Sequence, residues 1–169
     1  MAVIEKFLGK RVEVPEDRRY HVKQGLWGRL EDHGIVFGLS QPALVLTGGV
    51  KDVEWLAKAS SPVASGTSVV FAITGKILYI DTPLAGTIRF NEAVKNNASR
   101  IAEDPYGEGW LFRIDPENGA DRACELLASA EDYVESLKGS EGFKNPEGLK
   151  GGVSGICRAV YTGIGEQKL

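Results

Sequence analysis

A stretch in the middle of the chain that begins and ends with glycine, residues 66–86, constrains the fold more than any other part of the sequence. Its two runs of β-branched and aromatic residues, 69–71 and 77–80, flank the sequence Thr74-Gly75-Lys76. Such runs around a glycine-containing turn predict a β-hairpin, with a lysine at its tip. The lysine has two interpretations: a polar residue that keeps an exposed turn in water, or an amine that a modifying enzyme can reach and load.

Glycine is the unusual residue in the composition. The chain has 21 glycines among 169 residues, and many of them lie beside short β-rich runs. Short strands separated by glycine-containing turns are typical of a β-sandwich or barrel. The length allows one compact domain with a hydrophobic core and an appendage, but not a second full domain.

Several classes of protein are excluded by charge and by residue usage. The formal net charge of −3 gives no attraction to nucleic acid or to an anionic membrane, so we predict neither as a partner. The N-terminus lacks the apolar core of a signal peptide, and no apolar run reaches the ~20 residues of a membrane span, so a cytoplasmic location is expected. Cys124 and Cys157, even with His21 and His33, lack the spacing of a disulfide framework or of a metal site.

The other elements follow from periodicity and from turn residues. The apolar residues of the segment 3–8 have the spacing of one or two helical turns, and residues 20–39 predict a hairpin with a turn at 32–34. Ser40 and Asn91 each have the character of a helix N-cap. Further strands are predicted at 50–57, 87–90 and 110–114, and a short helical turn at 99–102.

The strongest helical pattern lies near the end of the chain. Apolar residues recur at intervals of three and four between Ala123 and Leu137, and Gly139 follows as a stop. Cys124 lies beside the apolar face of this predicted helix, where we expect a small, half-buried packing residue. Residues 140–169 contain many glycines and only scattered apolar residues; we interpret them as a tail, in which 153–161 either pairs as a strand, clamps a partner or stays mobile.

Three stretches between residues 90 and 111 carry a resemblance to a known family. The run Phe90-Asn91-Glu92-Ala93, followed by Asn96-Asn97 and then by residues 103–111, closely resembles the glycine cleavage system H protein family. The resemblance covers about residues 18–137. It implies a mainly β fold, a lipoyl/biotinyl-type β-sandwich (barrel-sandwich hybrid) with short helices and a C-terminal helix plus extension. The chain then divides into an N-terminal lead-in (1–17), a lipoyl domain (18–138) and a glycine-rich extension (139–169). The family motif also implies that Asp104 braces the turn before Trp110.

The resemblance also implies a carrier that is not itself an enzyme and has no catalytic residue. In the family, a lipoate-attaching enzyme joins lipoic acid to a lysine on a hairpin tip. In glycine cleavage or a related pathway, the dithiolane of that group then enters the active sites of glycine decarboxylase, aminomethyltransferase and dihydrolipoyl dehydrogenase one after another. Lys76 is the candidate for that lysine here.

The position of Lys76 depends on the end from which the hairpin is counted. Counting forward from Gly66 puts Lys76 at the carrier position, whereas counting back from Pro83 and Gly86 puts Gly75 there, so the returning arm is one residue short. A slip of one residue turns a strand side chain to the opposite face. The chain also departs from the family pattern beside the lysine and at the residues before Trp27, at positions Gln24, Gly25, Ile73, Thr74 and 77–79.

Two other functions stay open at this point. The first is an H-like scaffold that has lost lipoylation and binds another protein through the apolar residues 77–79 and the tail. The second is a redox or enzymatic role for Cys157, whose neighbour Arg158 can lower the pKa of a thiol. No general base at recognisable spacing accompanies Cys157.

Overall fold

The computed structural model describes residues 1–149. The strands in this part of the chain are β1 (Ala2–Phe7), β2 (Lys10–Val14), β3 (Arg19–His21), β4 (Leu26–Glu31), β5 (Gly34–Leu39), β6 (Asp52–Trp55), β7 (Pro62–Val63), β8 (Ser68–Ile73), β9 (Ile77–Asp81), β10 (Gly86–Phe90) and β11 (Phe112–Asp115). The helices are α1 (Gln41–Thr47), α2 (Glu92–Asn96), α3 (Ser99–Glu103), α4 (Ala120–Cys124), α5 (Ala130–Ser136) and α6 (Glu141–Lys144), with a 3-10 turn at Leu137–Gly139.

The strands form three antiparallel sheets. The largest has six strands in the order β3-β4-β5-β11-β10-β7, the second has the order β6-β8-β9, and the third is the pair β1-β2. The main core holds inward-facing residues of the six-stranded and the three-stranded sheets together, including Phe37, Ile88, Val70 and Ile80. Two sheets that share one core form a sandwich, so the predicted mainly β architecture is confirmed.

The beginning of the chain is a β-hairpin, so the predicted helical turns at residues 3–8 are wrong. Strands β1 and β2 pair antiparallel, and the turn between them consists of Leu8 and Gly9 with φ angles of 53° and 81°. Two successive positive φ values are the mark of a two-residue hairpin turn, which glycine tolerates without strain. Val12 and Val14, both buried, have the alternation of a strand, and this signal outweighs the helical spacing of the residues before them.

This N-terminal hairpin packs on the end of the described chain. Phe7 is fully buried, lies edge-on to Phe143 with ring centroids 5.9 Å apart, and contacts Gly142 so closely that a Cβ there would lie 2.2 Å from its ring. The backbone N–H of Gly9 donates to the carbonyl of Pro146 at 2.7 Å. The start of the predicted tail therefore packs on the hairpin, whereas residues 150–169, with Cys157 and the alternatives for 153–161, lie outside the described residues. The division into three regions stays a prediction.

The long helix predicted between Ala123 and Leu137 is wrong, because the structure breaks it into α4 and α5. The backbones of Tyr20 and Ala128 exchange two hydrogen bonds of 2.8 Å, which holds the segment between the helices against the edge of the six-stranded sheet. Ser129 then caps α5 by accepting from the N–H of Asp132 at 3.1 Å. The bridge to Tyr20 is a long-range contact that helical periodicity does not report.

A second hydrophobic cluster contains residues of the N-terminal hairpin, β3, β4 and α5, among them the tyrosines Tyr20 and Tyr133. Their rings are stacked 4.7 Å apart; the Tyr20 hydroxyl donates to the carbonyl of Pro15, and the Tyr133 hydroxyl shares a 2.6 Å hydrogen bond with Ser40. Burial raises the pKa of Tyr133 to about 12. It also raises the pKa values of Tyr20 and Tyr106, the latter packed against the same cluster.

These tyrosines predict a loss of stability in alkaline solution. An unfolded tyrosine has a pKa of about 10, so above that pH the unfolded state loses protons that the folded state keeps. The stabilisation is complete below pH ~10 and is lost as the pH rises through the folded pKa of Tyr133, about 12. We expect the urea concentration at the unfolding midpoint to decrease as the pH is raised from ~9 to ~11.5. We expect this decrease to be smaller in Tyr106→Phe. A constant midpoint in both proteins would contradict this prediction.

Candidate functional site

The hairpin of β8 and β9 carries Lys76 in a three-residue turn. The register pairs Ile73 with Ile77, which places Gly75 on the hairpin axis and Lys76 one residue after it. Gly75 and Lys76 are exposed, and a Cβ built at position 75 would meet no other heavy atom within 4 Å. Among the described residues, the Lys76 amine has neither an ion pair nor a hydrogen bond. The tip therefore projects into solvent with a free amine.

Thr74 holds the backbone of Lys76 in place. Its backbone N–H donates to the Lys76 carbonyl at 2.8 Å. Its hydroxyl accepts from the Lys76 N–H at 3.0 Å and lies 3.2 Å from the same carbonyl, to which it can donate. Thr74 is itself only 6% exposed. The main chain of Lys76 is thus fixed by a buried neighbour, while its side chain is left unrestrained.

A β-bulge lies at the base of the hairpin and makes the outgoing arm one residue longer than the returning arm. Ser68 pairs with Asp81 but Val70 pairs with Ile80, so two steps along β8 match one step along β9. Val69 is the extra residue, and both Val69 and Val70 are fully buried. Because the mismatch is taken up at the base, the ladder toward the tip is regular. Lys76 lies in the turn and not in the ladder, so the alternation of faces does not turn its amine inward.

Gln24 fixes the base of the returning arm. Its amide oxygen accepts from the N–H of Asp81 at 2.7 Å, and its amide nitrogen donates to the Asp81 carbonyl at 2.8 Å. The side chain thereby pairs with the outer edge of β9 as a neighbouring strand does. His21 lies beside it, with Nδ1 3.3 Å from the Gln24 amide nitrogen. Burial and the charge of Lys23 lower the pKa of His21, which favours the neutral ring beside that amide donor.

The other residues that the sequence singled out have structural positions. Asp104 braces its turn as predicted: its carboxylate accepts from the N–H of Glu108 at 2.9 Å, and its carbonyl accepts from the N–H of Gly109 at 2.8 Å. Cys124 is half-buried as expected, and burial raises the pKa of its thiol, which disfavours the reactive thiolate. Residues 1–149 hold no cluster of His, Cys, Asp and Glu that could bind a metal ion.

Comparison with known proteins places this hairpin in a family. The family model described as "Glycine cleavage H-protein" matches residues 18–140. The chain belongs to the glycine cleavage H-protein family. The H protein of Psychrobacter sp. (strain PRwf-1) is 37% identical over 127 residues, which are 73% of this chain and 98% of the relative. "Glycine cleavage system H protein 5" of Aquifex aeolicus (strain VF5) is 30% identical over 133 residues, 75% of this chain and 88% of the relative.

A solved structure of the H-protein family has the same fold. The crystal structure of the H protein from Mycobacterium marinum matches with a TM-score of 0.61 at 25% identity, covering 72% of this chain and 97% of that chain. The predicted lipoyl-domain architecture is thereby confirmed. Membership of this family supports a carrier role in glycine cleavage for the chain. H proteins are carriers without catalytic activity of their own. They carry covalently attached lipoate and work with the decarboxylase, the aminomethyltransferase and the dihydrolipoyl dehydrogenase.

Residues 1–17 and 141–149 of this chain lie outside the family match and pack together. No helix within residues 1–149 is long and apolar enough to cross a membrane. The cytoplasmic location stays a prediction.

Sequence reasoning missed two features of the site. The first is the role of Thr74, which the family pattern shows only as a departure. The second is the bulge at Val69. Its only signal in the sequence of the strand is the adjacent pair Val69-Val70, where a strand with one solvent-exposed face normally alternates apolar and polar residues. The bulge comes from strand pairing, which is read from the partner strand and not from the residue itself. The role of Thr74 is local, because a threonine hydroxyl can bond the backbone two residues later, and a threonine at the start of a turn is a signal of it.

Proposed function

We propose that Lys76 is the lipoylation site of this H-protein family member. On this proposal the chain carries the lipoyl group between glycine decarboxylase, aminomethyltransferase and dihydrolipoyl dehydrogenase. The observation that carries the proposal is the exposed amine of Lys76, which has no ion pair or hydrogen bond within residues 1–149, in a turn that projects from the sandwich. A bound lipoyl group supplies a disulfide ring at the end of a flexible chain.

The residues of the hairpin fit covalent attachment. Acylation requires an amine that an active site can surround, and the open space around Gly75 leaves room for one. Thr74 keeps the backbone of the attachment point still, so the flexibility lies in the side chain and its load. A tethered group meets each partner at a high effective concentration, which is the physical advantage of a carrier over a free cofactor.

A second candidate function is a protein-binding module that has lost lipoylation. The observation that favours it is the apolar outer surface beside the tip, where Ile77 is 62% exposed and Tyr79 is 56% exposed. An exposed apolar patch of this kind is typical of an interaction site. The two functions differ in whether the amine of Lys76 is modified.

An intact-mass measurement distinguishes the two. The full chain is expressed in a host with active lipoylation and compared with Lys76→Arg and with Lys51→Arg, another exposed lysine. We expect wild type and Lys51→Arg to gain the mass of one lipoyl group, which peptide mapping places on Lys76, and Lys76→Arg to stay unmodified. Wild-type protein that stays unmodified while other carriers in the same cells are lipoylated would favour the binding module.

A further inference from the structure

Four apolar side chains form a patch on the outer face of the three-stranded sheet. We call the residues Phe71, Ile73, Ile77 and Tyr79 the hairpin patch. The register places them in two cross-strand pairs, Phe71 with Tyr79 and Ile73 with Ile77, and the aromatic pair meets edge-on with ring centroids 5.3 Å apart. Their neighbours along the strands, such as Ala72, face the core. The solvated face of an antiparallel sheet is normally polar, so this patch is an exception that points to a partner.

Carboxylates border the hairpin patch. Strand β6 places Asp52 opposite Ile73 and Glu54 opposite Phe71, and both acids are exposed. Glu54 has Lys95 at 3.4 Å, whereas Asp52 has no ion pair within residues 1–149. A surface that complements the patch is therefore apolar at its centre, with lysine or arginine at its rim.

The hairpin patch is continuous with the attachment site. Ile77 follows Lys76 directly, and Ile73 is its cross-strand partner at the first pair below the turn. An enzyme that acylates the unmodified amine must bring its active site to the tip itself, so its surface has to lie against the residues next to the turn. Enzymes that act on the far end of a loaded arm are held to the tip less closely. The patch thus best fits the enzyme that attaches the acyl group.

We propose that the hairpin patch with its acidic border is the docking surface for the lipoate-attaching enzyme, which presents an apolar surface flanked by basic side chains. This inference rests on the proposed function of Lys76. In the reaction, the amide bond forms between Nζ of Lys76 and the acyl carbon of an acyl adenylate or acyl thioester. The bond from that carbon to the adenylate or thiol breaks, the leaving group takes the electron pair, and Nζ gives up a proton to solvent.

Loading kinetics test the proposal. The purified unmodified chain is given to the lipoate-attaching enzyme of its own source as wild type, as Ile77→Ser/Tyr79→Ser, and as Leu30→Ser/Leu126→Ser. The last is a matched control, since Leu30 and Leu126 are exposed apolar residues outside the patch. We expect the patch variant to lose about tenfold or more in kcat/KM, mainly through KM, while the control variant equals wild type. Equal unfolding midpoints establish that the variants are folded.

A charge reversal tests the border separately. Asp52→Lys/Glu54→Lys places two cations where the proposal expects the partner's own basic side chains. We expect slower loading, and an effect that shrinks as salt is raised, because screening weakens the repulsion. Loading at the wild-type rate at every salt concentration would overturn the acidic border.

Calorimetry with Lys76→Arg separates the docking surface from the attachment chemistry. We expect Lys76→Arg to bind the enzyme as wild type does and the patch variant to bind about tenfold or more weakly. If wild type is loaded and the patch variant is loaded equally well, the docking surface is wrong and the proposed function stands. If the enzyme binds through the patch but loads nothing, the proposed function is wrong and the contact stands. If wild type is neither bound nor loaded, both are wrong.

Discussion

Lys76→Arg is expected to reduce glycine turnover in a reconstituted glycine cleavage assay to the level seen without this chain. The arginine keeps the positive charge and a similar length, so the exposed turn has no reason to refold. Its guanidinium stays protonated at any working pH and offers no neutral amine to an acyl donor. With no tethered group, the partner enzymes share no carrier.

The assay contains the decarboxylase, the aminomethyltransferase and the dihydrolipoyl dehydrogenase, and each carrier variant is first treated with the lipoate-attaching enzyme. Lys51→Arg serves as the control and is expected to turn over at the wild-type rate. Free lipoamide added to the Lys76→Arg reaction is expected to restore little, because a tether of this kind is equivalent to a millimolar or higher local concentration. Full turnover by Lys76→Arg would show that the group is carried elsewhere.

Trp27→Ala is expected to lower the free energy of unfolding by about 3–5 kcal/mol, the usual cost of removing a large buried aromatic side chain. Trp27 is fully buried, its Nε1 donates to the carbonyl of Pro105 at 2.9 Å, and the Arg18 guanidinium lies 4.8 Å from its ring centroid. A Cβ at Gly38 would lie 2.7 Å from this ring, so the indole fills the space that the glycine leaves. It ties β4 to the turn that Asp104 braces.

Urea denaturation of wild type, Trp27→Ala and Trp27→Phe measures this effect. The phenylalanine keeps most of the burial and loses the hydrogen bond to Pro105, so we expect an intermediate loss of about 1–2 kcal/mol. A loss below ~1 kcal/mol in Trp27→Ala would contradict the view that this residue joins sheet and turn.

Local signals predicted those elements whose boundaries lie in the sequence itself. Ser40 caps α1 by accepting from the N–H of Ala43 at 3.3 Å, and Gly48 ends that helix with a φ of 81°. Asn91 caps α2 in the same way. The hairpins β4-β5 and β8-β9 follow from apolar runs around turn residues. In each case the residue that makes the structure is also the residue that signals it.

Long-range contacts decided the elements that sequence reasoning got wrong. The N-terminal strands depend on contacts such as that of Phe7 with Phe143, more than a hundred residues later in the chain. The break between α4 and α5 depends on the bridge from Ala128 to Tyr20. Likewise, the sequence identified Lys76 as the candidate site, but a count along either arm of the hairpin does not report the bulge that makes β8 one residue longer than the part of β9 it pairs with.

The bulge at Val69 has a consequence for comparing carriers of this kind. Where one arm of a hairpin is longer than the other, an alignment gap can be drawn in either arm, and the column assigned to the modified lysine moves with it. Superimposing the cross-strand pairs nearest the tip removes that ambiguity, because such pairs are fixed by geometry. Hairpins whose lysines fall in different columns can then be recognised as presenting the amine from equivalent points in space.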